Sequence, residues 1–225
     1  MLTKRGKIFI SLFAFVLLAA ATGVYLSYFS NLLTIKNIRV NGLQLLSEER
    51  VLELAQINID SPLIELNSDQ ITTQLLREKI IKAAEVRKSW PDSVVIEIVE
   101  RSPIALTDLS SGRFLVDEAG VAFNRAGPND VHPFVYAPND VARGLAARVS
   151  RELPEWLRPE VSLVESYDGK RAVVILNSGR RIIWGDEFKT QEKSSVLLVL
   201  LRTDEGDIDI STAEVPVLKL PSEAN

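Results

Sequence analysis

The chain of 225 residues has no cysteine, one histidine and one methionine. Without cysteine there is no disulfide framework, no thiolate metal site and no thiol nucleophile. The one histidine, His132, stands beside Pro133 in a stretch rich in Gly, Pro, Asn and Asp (127–139). It shows none of the partners that fix a catalytic base or complete a metal shell. No G-x-S-x-G segment occurs, and Gly179, Gly185 and Lys189 lack the spacing and the strand–loop–helix setting of a phosphate loop. Basic charge is scarce where nucleic acid would need it. Of 26 basic residues, Lys4, Arg5 and Lys7 precede residue 30, and the other 23 face 30 acids, a balance of −7. A folded part so charged is poorly suited to phosphate contacts. No internal repeat is present, which argues against a solenoid or a tandem array.

What the chain does have is a long run without charge. Ile8–Phe29 (IFISLFAFVLLAAATGVYLSYF) carries no charged residue over 22 positions. At about 1.5 Å per residue, a helix of this length covers the ~30 Å hydrocarbon core of a bilayer. Lys4, Arg5 and Lys7 precede it, and the next charges are Lys36 and Arg39. That bias predicts a cytoplasmic N-terminus and an exported remainder. Tyr25, Tyr28 and Phe29 cluster at the far end, where an interfacial aromatic belt belongs. A cleaved signal peptide is the competing reading, with Ala19-Ala20-Ala21 as its processing site. Apolar residues continue past that point, which favours the span.

Residues 33–103 read as one small unit. Thr34–Val40 alternates and ends at Asn41-Gly42, a strand and its turn. Ser47, followed by Glu48 and Glu49, predicts a helix start, with Leu46 and Val51 at staple spacing. Asp60-Ser61-Pro62 breaks that helix. Asn67 then caps a second one, with Gln70 at the capping-box position. Ala83–Trp90 alternates with Ala84, Val86 and Trp90 on one face. Trp90-Pro91-Asp92-Ser93 turns, and Val94, Ile96 and Ile98 face one way in the returning strand. The order is strand, helix, helix, strand, strand, with both helices on one face of the sheet.

Residues 104–220 read as a second, mainly β unit. Arg113–Asp117 and Val121–Phe123 form a hairpin around Glu118-Ala119-Gly120. Asp117 and Glu118 are adjacent acids, but a hydrolytic pair must face each other across a substrate. They read as turn residues. Asp140 is expected to cap a helix to Glu152, with Val141, Leu145, Val149 and Leu153 at four-residue steps and Pro154 as the stop. A meander follows over 161–165, 172–176 and 181–184. Thr190–Arg202 is helical, Asp207–Ser211 a strand, and Glu214–Leu220 the last strand. Pro216 places that strand at a sheet edge, because proline cannot donate to a ladder. Val215, Val217 and Lys219 are expected to keep their donors for an incoming strand. Five residues follow Leu220, so no long C-terminal tail is expected.

Three segments resemble one known family. They are Ile35-Lys36-Asn37-Ile38-Arg39-Val40-Asn41-Gly42, the run Ala84–Arg101 (AEVRKSWPDSVVIEIVER), and Pro103-Ile104-Ala105. They are similar to the POTRA domain of the bacterial division proteins of the FtsQ/DivIB family, which follows a single N-terminal membrane helix. Leu115-Val116-Asp117, Gly120 and Phe123 resemble the stretch after that domain, and the meander, helix and final strands resemble the family's β domain. The implied fold is α+β: an N-terminal transmembrane helix, a POTRA-like β-α-α-β-β domain, then a mainly antiparallel β domain with flanking helices. The implied division is 1–7 cytoplasmic tail, 8–29 membrane helix, 33–103 POTRA domain, 104–220 β domain and 221–225 tail.

The resemblance further implies a non-enzymatic scaffold of the septum, without cofactor, metal or nucleic acid. Its ectodomain would lie outside the cell membrane. It would bind an FtsB/FtsL-type partner by strand addition at Val215, Pro216, Val217, Leu218, Lys219 and Leu220, and upstream division proteins through the POTRA domain and membrane helix. Some family members carry Arg-Tyr where Ser211-Thr212 stand here, so contacts at that point are expected to differ. The alternative reading is a POTRA-containing envelope chaperone or translocation module, which usually carries repeated units and a barrel.

Overall fold

The computed structural model describes residues 4–29, 33–202, 206–212 and 217–219. They divide into two compact units, Met1–Glu100 and Arg101–Asn225.

The first unit opens with helix α1 (Lys4–Phe29). Its described side chains, 12–23 and 25, are all exposed. Among the described residues no helix is long and apolar enough to cross a membrane. Strand β1 (Asn37–Asn41), helices α2 (Glu48–Ala55) and α3 (Ser68–Leu75), and strands β2 (Ile81–Ser89) and β3 (Ser93–Glu100) follow. The two helix starts are where the capping residues put them. Ser47 accepts from the Arg50 amide at 3.2 Å, and Asn67 from the Gln70 amide at 3.0 Å. The sheet order is β1-β3-β2, with β1 parallel to β3 and β2 antiparallel to it. Val51 and Ala55 of α2, and Ile71 and Leu75 of α3, are buried along with Val86, Val94, Ile96 and Ile98 of the sheet. Trp90 is the exception to the alternation. Strand β2 ends at Ser89, so Trp90 belongs to the turn, and it is 53% exposed instead of sharing the face of Val86. Glu100 ties the unit's far end together: its carboxylate accepts from the amides of Gln44, Leu45 and Leu46 at 3.0, 2.7 and 3.0 Å.

The second unit begins with a three-stranded antiparallel sheet, β4 (Ala105–Leu109), β5 (Gly112–Val116) and β6 (Ala122–Arg125). Then come β7 (Val135–Tyr136), α4 (Asp140–Glu152), β8 (Val161–Ser166), β9 (Ala172–Leu176), β10 (Arg181–Gly185), α5 (Thr190–Leu200), β11 (Asp207–Asp209) and β12 (Val217–Lys219). These strands form a second sheet in the order β12-β11-β10-β9-β8-β7. The meander β8-β9-β10 is antiparallel, and the pairs β7/β8 and β10/β11 are parallel. Leu145, Ala146 and Val149 of α4, with Leu153 just after it, form one core with Val164, Val174, Ile182, Trp184 and Ile208 of the sheet. The N-cap of α4 is Asn139, whose side chain accepts from Ala142 N, so the expected cap shifts by one residue. Asp140 instead pairs with Arg143 at 2.7 Å, and Arg143 also donates to the Gly120 carbonyl at 2.8 Å.

Helix α5 is anchored by a buried lysine. Lys193 donates to the Asp186 carboxylate at 2.8 Å and to its carbonyl at 2.9 Å. Burial pushes the Asp186 carboxyl up, but the Lys193 ammonium and the Phe188 amide outweigh it and hold it below its ordinary 3.8. A depressed carboxylate stabilises the fold above its unfolded value and loses that contribution as pH falls through the folded one. The ion pair's contribution is therefore expected to be intact above pH 3.8 and to fade below it. Melting temperatures across that range should fall less steeply for Lys193→Met, which no longer has the pair to lose.

Candidate functional site

Among the described residues the six-stranded sheet ends at a free edge, β12. β12 pairs antiparallel with β11, matching Asp207 to Lys219, Ile208 to Leu218 and Asp209 to Val217. On its other side β12 has no neighbour among the described residues. Which of its backbone groups face that side follows from the next pair inward. In the parallel pair β10/β11, Ile210 N donates to the Ile183 carbonyl, and Ile183 is matched to Asp209. In a parallel ladder the residues flanking a matched one carry its bonds. The backbone of Ile208 and Ile210 is thus turned to β10, and that of Asp207 and Asp209 to β12. Val217 and Lys219, matched to them, spend their amides on β11. Leu218 alone among the three points its N–H and C=O outward. This reverses the expected assignment of donors: Leu218, not Val217 or Lys219, offers the free one. Val215, Pro216 and Leu220 lie outside the described residues.

Helix α5 adds apolar surface. Leu197 is buried in the core while Leu198 and Val199 are exposed.

The acids that raise the question of chemistry are accounted for structurally. Asp117 is 2% exposed; its Oδ1 accepts from the amides of Ala119 and Val121, and its Oδ2 from Arg101. One oxygen thus serves the turn and the other the ion pair with Arg101. His132 lines an open cleft of about 480 Å³ with Pro103, Ile104, Phe134 and Arg158. Among the described residues no group of three or more metal-ligating side chains is assembled.

Comparison with known proteins then decides the family. A model described as the POTRA domain, FtsQ-type, matches residues 33–101, and one described as cell division protein FtsQ/DivIB, C-terminal, matches 105–215. The chain belongs to the FtsQ/DivIB family of cell division proteins. It is 30% identical over 206 residues to the cell division protein FtsQ of Mycolicibacterium smegmatis, covering 90% of this chain and 62% of that protein. It is 29% identical over 196 residues to FtsQ of Mycobacterium leprae, covering 85% of this chain and 58% of the relative. Against FtsQ of Streptomyces bingchenggensis, identity is 28% over 236 residues, with 96% and 87% covered. The chain thus spans about three fifths of the length of the mycobacterial relatives. The C-terminal family match stops at Val215, just short of β12.

Proposed function

We propose that the chain is a non-enzymatic scaffold of the bacterial divisome, anchored in the cell membrane by residues 8–29. Its N-terminus lies in the cytoplasm, its POTRA domain (33–103) and β domain (104–220) lie outside, and it works at the septum. It joins upstream division proteins, met through the POTRA domain and membrane helix, to an FtsB/FtsL-type partner. The family membership supports the division role. The charge-free run 8–29 and the basic residues before it support the anchor. The anchor confines the ectodomain beside its partners' ectodomains and raises their effective concentration.

The observation that carries the partner reading is the open edge of β12. A strand added there extends the sheet by main-chain bonds, and Leu218 supplies the donor and acceptor at the centre of the described edge. The docking set is 215–220, with Pro216 suiting an edge because an unpaired position loses nothing by lacking an N–H. The test compares two changes at Leu218. Leu218→Ala keeps the N–H and Leu218→Pro removes it. Pull-down of the FtsB/FtsL-type complex is expected to be weakened far more by proline than by alanine, with both ectodomains melting close to the parent. Equal binding by the two variants would rule out strand addition at this edge. Val217→Pro is not equivalent, because it breaks the ladder to β11 and leaves the outward N–H of Leu218 in place.

A further inference from the structure

We propose that the end of the POTRA unit nearest α1 rests in the lipid–water interface, with Trp90, Ile64 and Ile59 as its apolar contacts. The inference rests on the reading of residues 8–29 as a membrane span.

The chain itself places this end. From Phe29 to Leu33 the chain takes four Cα steps, a reach of at most about 14 Å. Leu33 is already fixed to the unit, its carbonyl accepting from Leu63 N at 2.9 Å. Helix α1 also meets the 3-10 turn Leu63–Glu65. The next residues gather two more segments. Ile35 O accepts from Asp60 N at 2.9 Å, and Lys36 N donates to Asp92 O at 2.8 Å. Lys88 Nζ donates to the Ile64 carbonyl at 2.7 Å, joining the β2–β3 hairpin to the 3-10 turn. The register agrees: β1 begins at Asn37 opposite Ser93, and Ser93 faces Ser89 across the hairpin. The hairpin tip 90–92 therefore lies at the end of the sheet where the chain arrives from α1; β1 and β3 lead away from it, and β2 leads up to it.

At this same end sit three large apolar side chains that the fold does not bury. Trp90 is 53%, Ile59 51% and Ile64 40% exposed. A tryptophan beside exposed aliphatic groups is well matched to the boundary between headgroups and acyl chains. The charges around them nearly cancel, with Lys36 and Lys88 against Asp60, Glu65 and Asp92. The contact is accordingly apolar, and it should form on lipid without net charge. Seating this rim in the interface would limit the tilt of the POTRA unit over the membrane.

The absence of cysteine makes the test clean, because each introduced thiol is the only one. The full chain would be reconstituted in phosphatidylcholine nanodiscs carrying a fluorescent label at Leu17→Cys, Ile64→Cys, Trp90→Cys or Leu45→Cys. Leu45 is as exposed as Trp90 and adjoins the far end of the sheet through Glu100. A quencher attached to the phospholipid at the level of the upper acyl chain is expected to quench labels at 17, 64 and 90 and to spare the one at 45, with no change on adding salt. Quenching at 17 with none at 64 and 90 would overturn the inference and leave the membrane span standing. Equal quenching at 45 would overturn it too, because adsorption would then not be confined to this rim. No quenching at 17 would remove the span, and the inference with it.

Discussion

Asp117→Ala is expected to destabilise the second unit by roughly 3–5 kcal/mol, the range for removing one partner of a buried ion pair. The Arg101–Asp117 side chains are 18% and 3% exposed, so solvent screens them little. Removing the carboxylate takes away the Arg101–Asp117 ion pair. It also orphans the amides of Ala119 and Val121, which Asp117 Oδ1 accepts at 3.1 and 2.8 Å. The turn then keeps only its backbone bonds, Asp117 N to Val121 O and Gly120 N to Asp117 O, and loses the side-chain brace across them. Gly120 is in turn pressed against α4 through the Arg143 bond, so slackening here reaches the core helix. Asp117→Asn should fall in between, because an amide oxygen can still accept from the two N–H groups but offers Arg101 no charge. Chemical denaturation followed by the fluorescence of the wholly buried Trp184 reads the second unit directly. A midpoint for Asp117→Ala equal to the parent's would mean that the turn is held by its backbone alone.

The other large effect is expected in the first unit. Gly42 follows β1 at φ +86, a conformation that L side chains rarely adopt, and a Cβ built there would lie 1.9 Å from the Ile98 carbonyl oxygen. That neighbour is backbone in the central strand β3 and cannot step aside without disturbing the sheet. The strain of the left-handed conformation is about 1–3 kcal/mol, and displacing a packed backbone adds a similar amount. A unit of this size holds only about 5 kcal/mol in total. Gly42→Ala is therefore expected to leave the POTRA unit largely unfolded, seen as rapid proteolysis within 33–100 while the Trp184 transition of the second unit persists. An intact, protease-resistant first unit would mean that β1 can end without the close approach to Ile98.

Much of both units is legible in the chain because the signals are local. Ser47 and Asn67 announce helices α2 and α3, since an N-cap works through an amide three residues away. The turn 168–169 and the glycine at 179 separate the meander strands, whose alternation is set by the pleat. At Asn139-Asp140 the local signal is ambiguous. Both residues are good caps, and the choice fell to Asn139 because Asp140 is drawn to Arg143, a residue placed by its bond to Gly120 in a distant turn. Trp90 misled for a related reason: alternation holds only while a strand continues, and β2 stops at Ser89.

The candidate docking edge divides the same way. Pro216 in the sequence is enough to expect an edge strand, because the lack of an N–H is a property of the residue. Which neighbours offer their backbone to a partner is not. Along any strand the N–H and C=O groups of successive residues point alternately left and right, and nothing in 215–220 says which side is taken. That was decided by β11, inserted parallel to β10 through α5, so that Asp207 and Asp209 face β12 and bind Val217 and Lys219. Leu218 is left looking outward. By itself the sequence determined the charge-free run, the caps of α2 and α3, the alternating faces and the presence of an edge, all of which act over a few residues. Only the tertiary structure decided that β1 lies parallel to β3, that the hairpin tip with Trp90 meets the end nearest α1, and that Leu218 faces the open side. Each of these depends on hydrogen bonds between segments tens of residues apart, and a strand's own pattern fits more than one neighbour equally well.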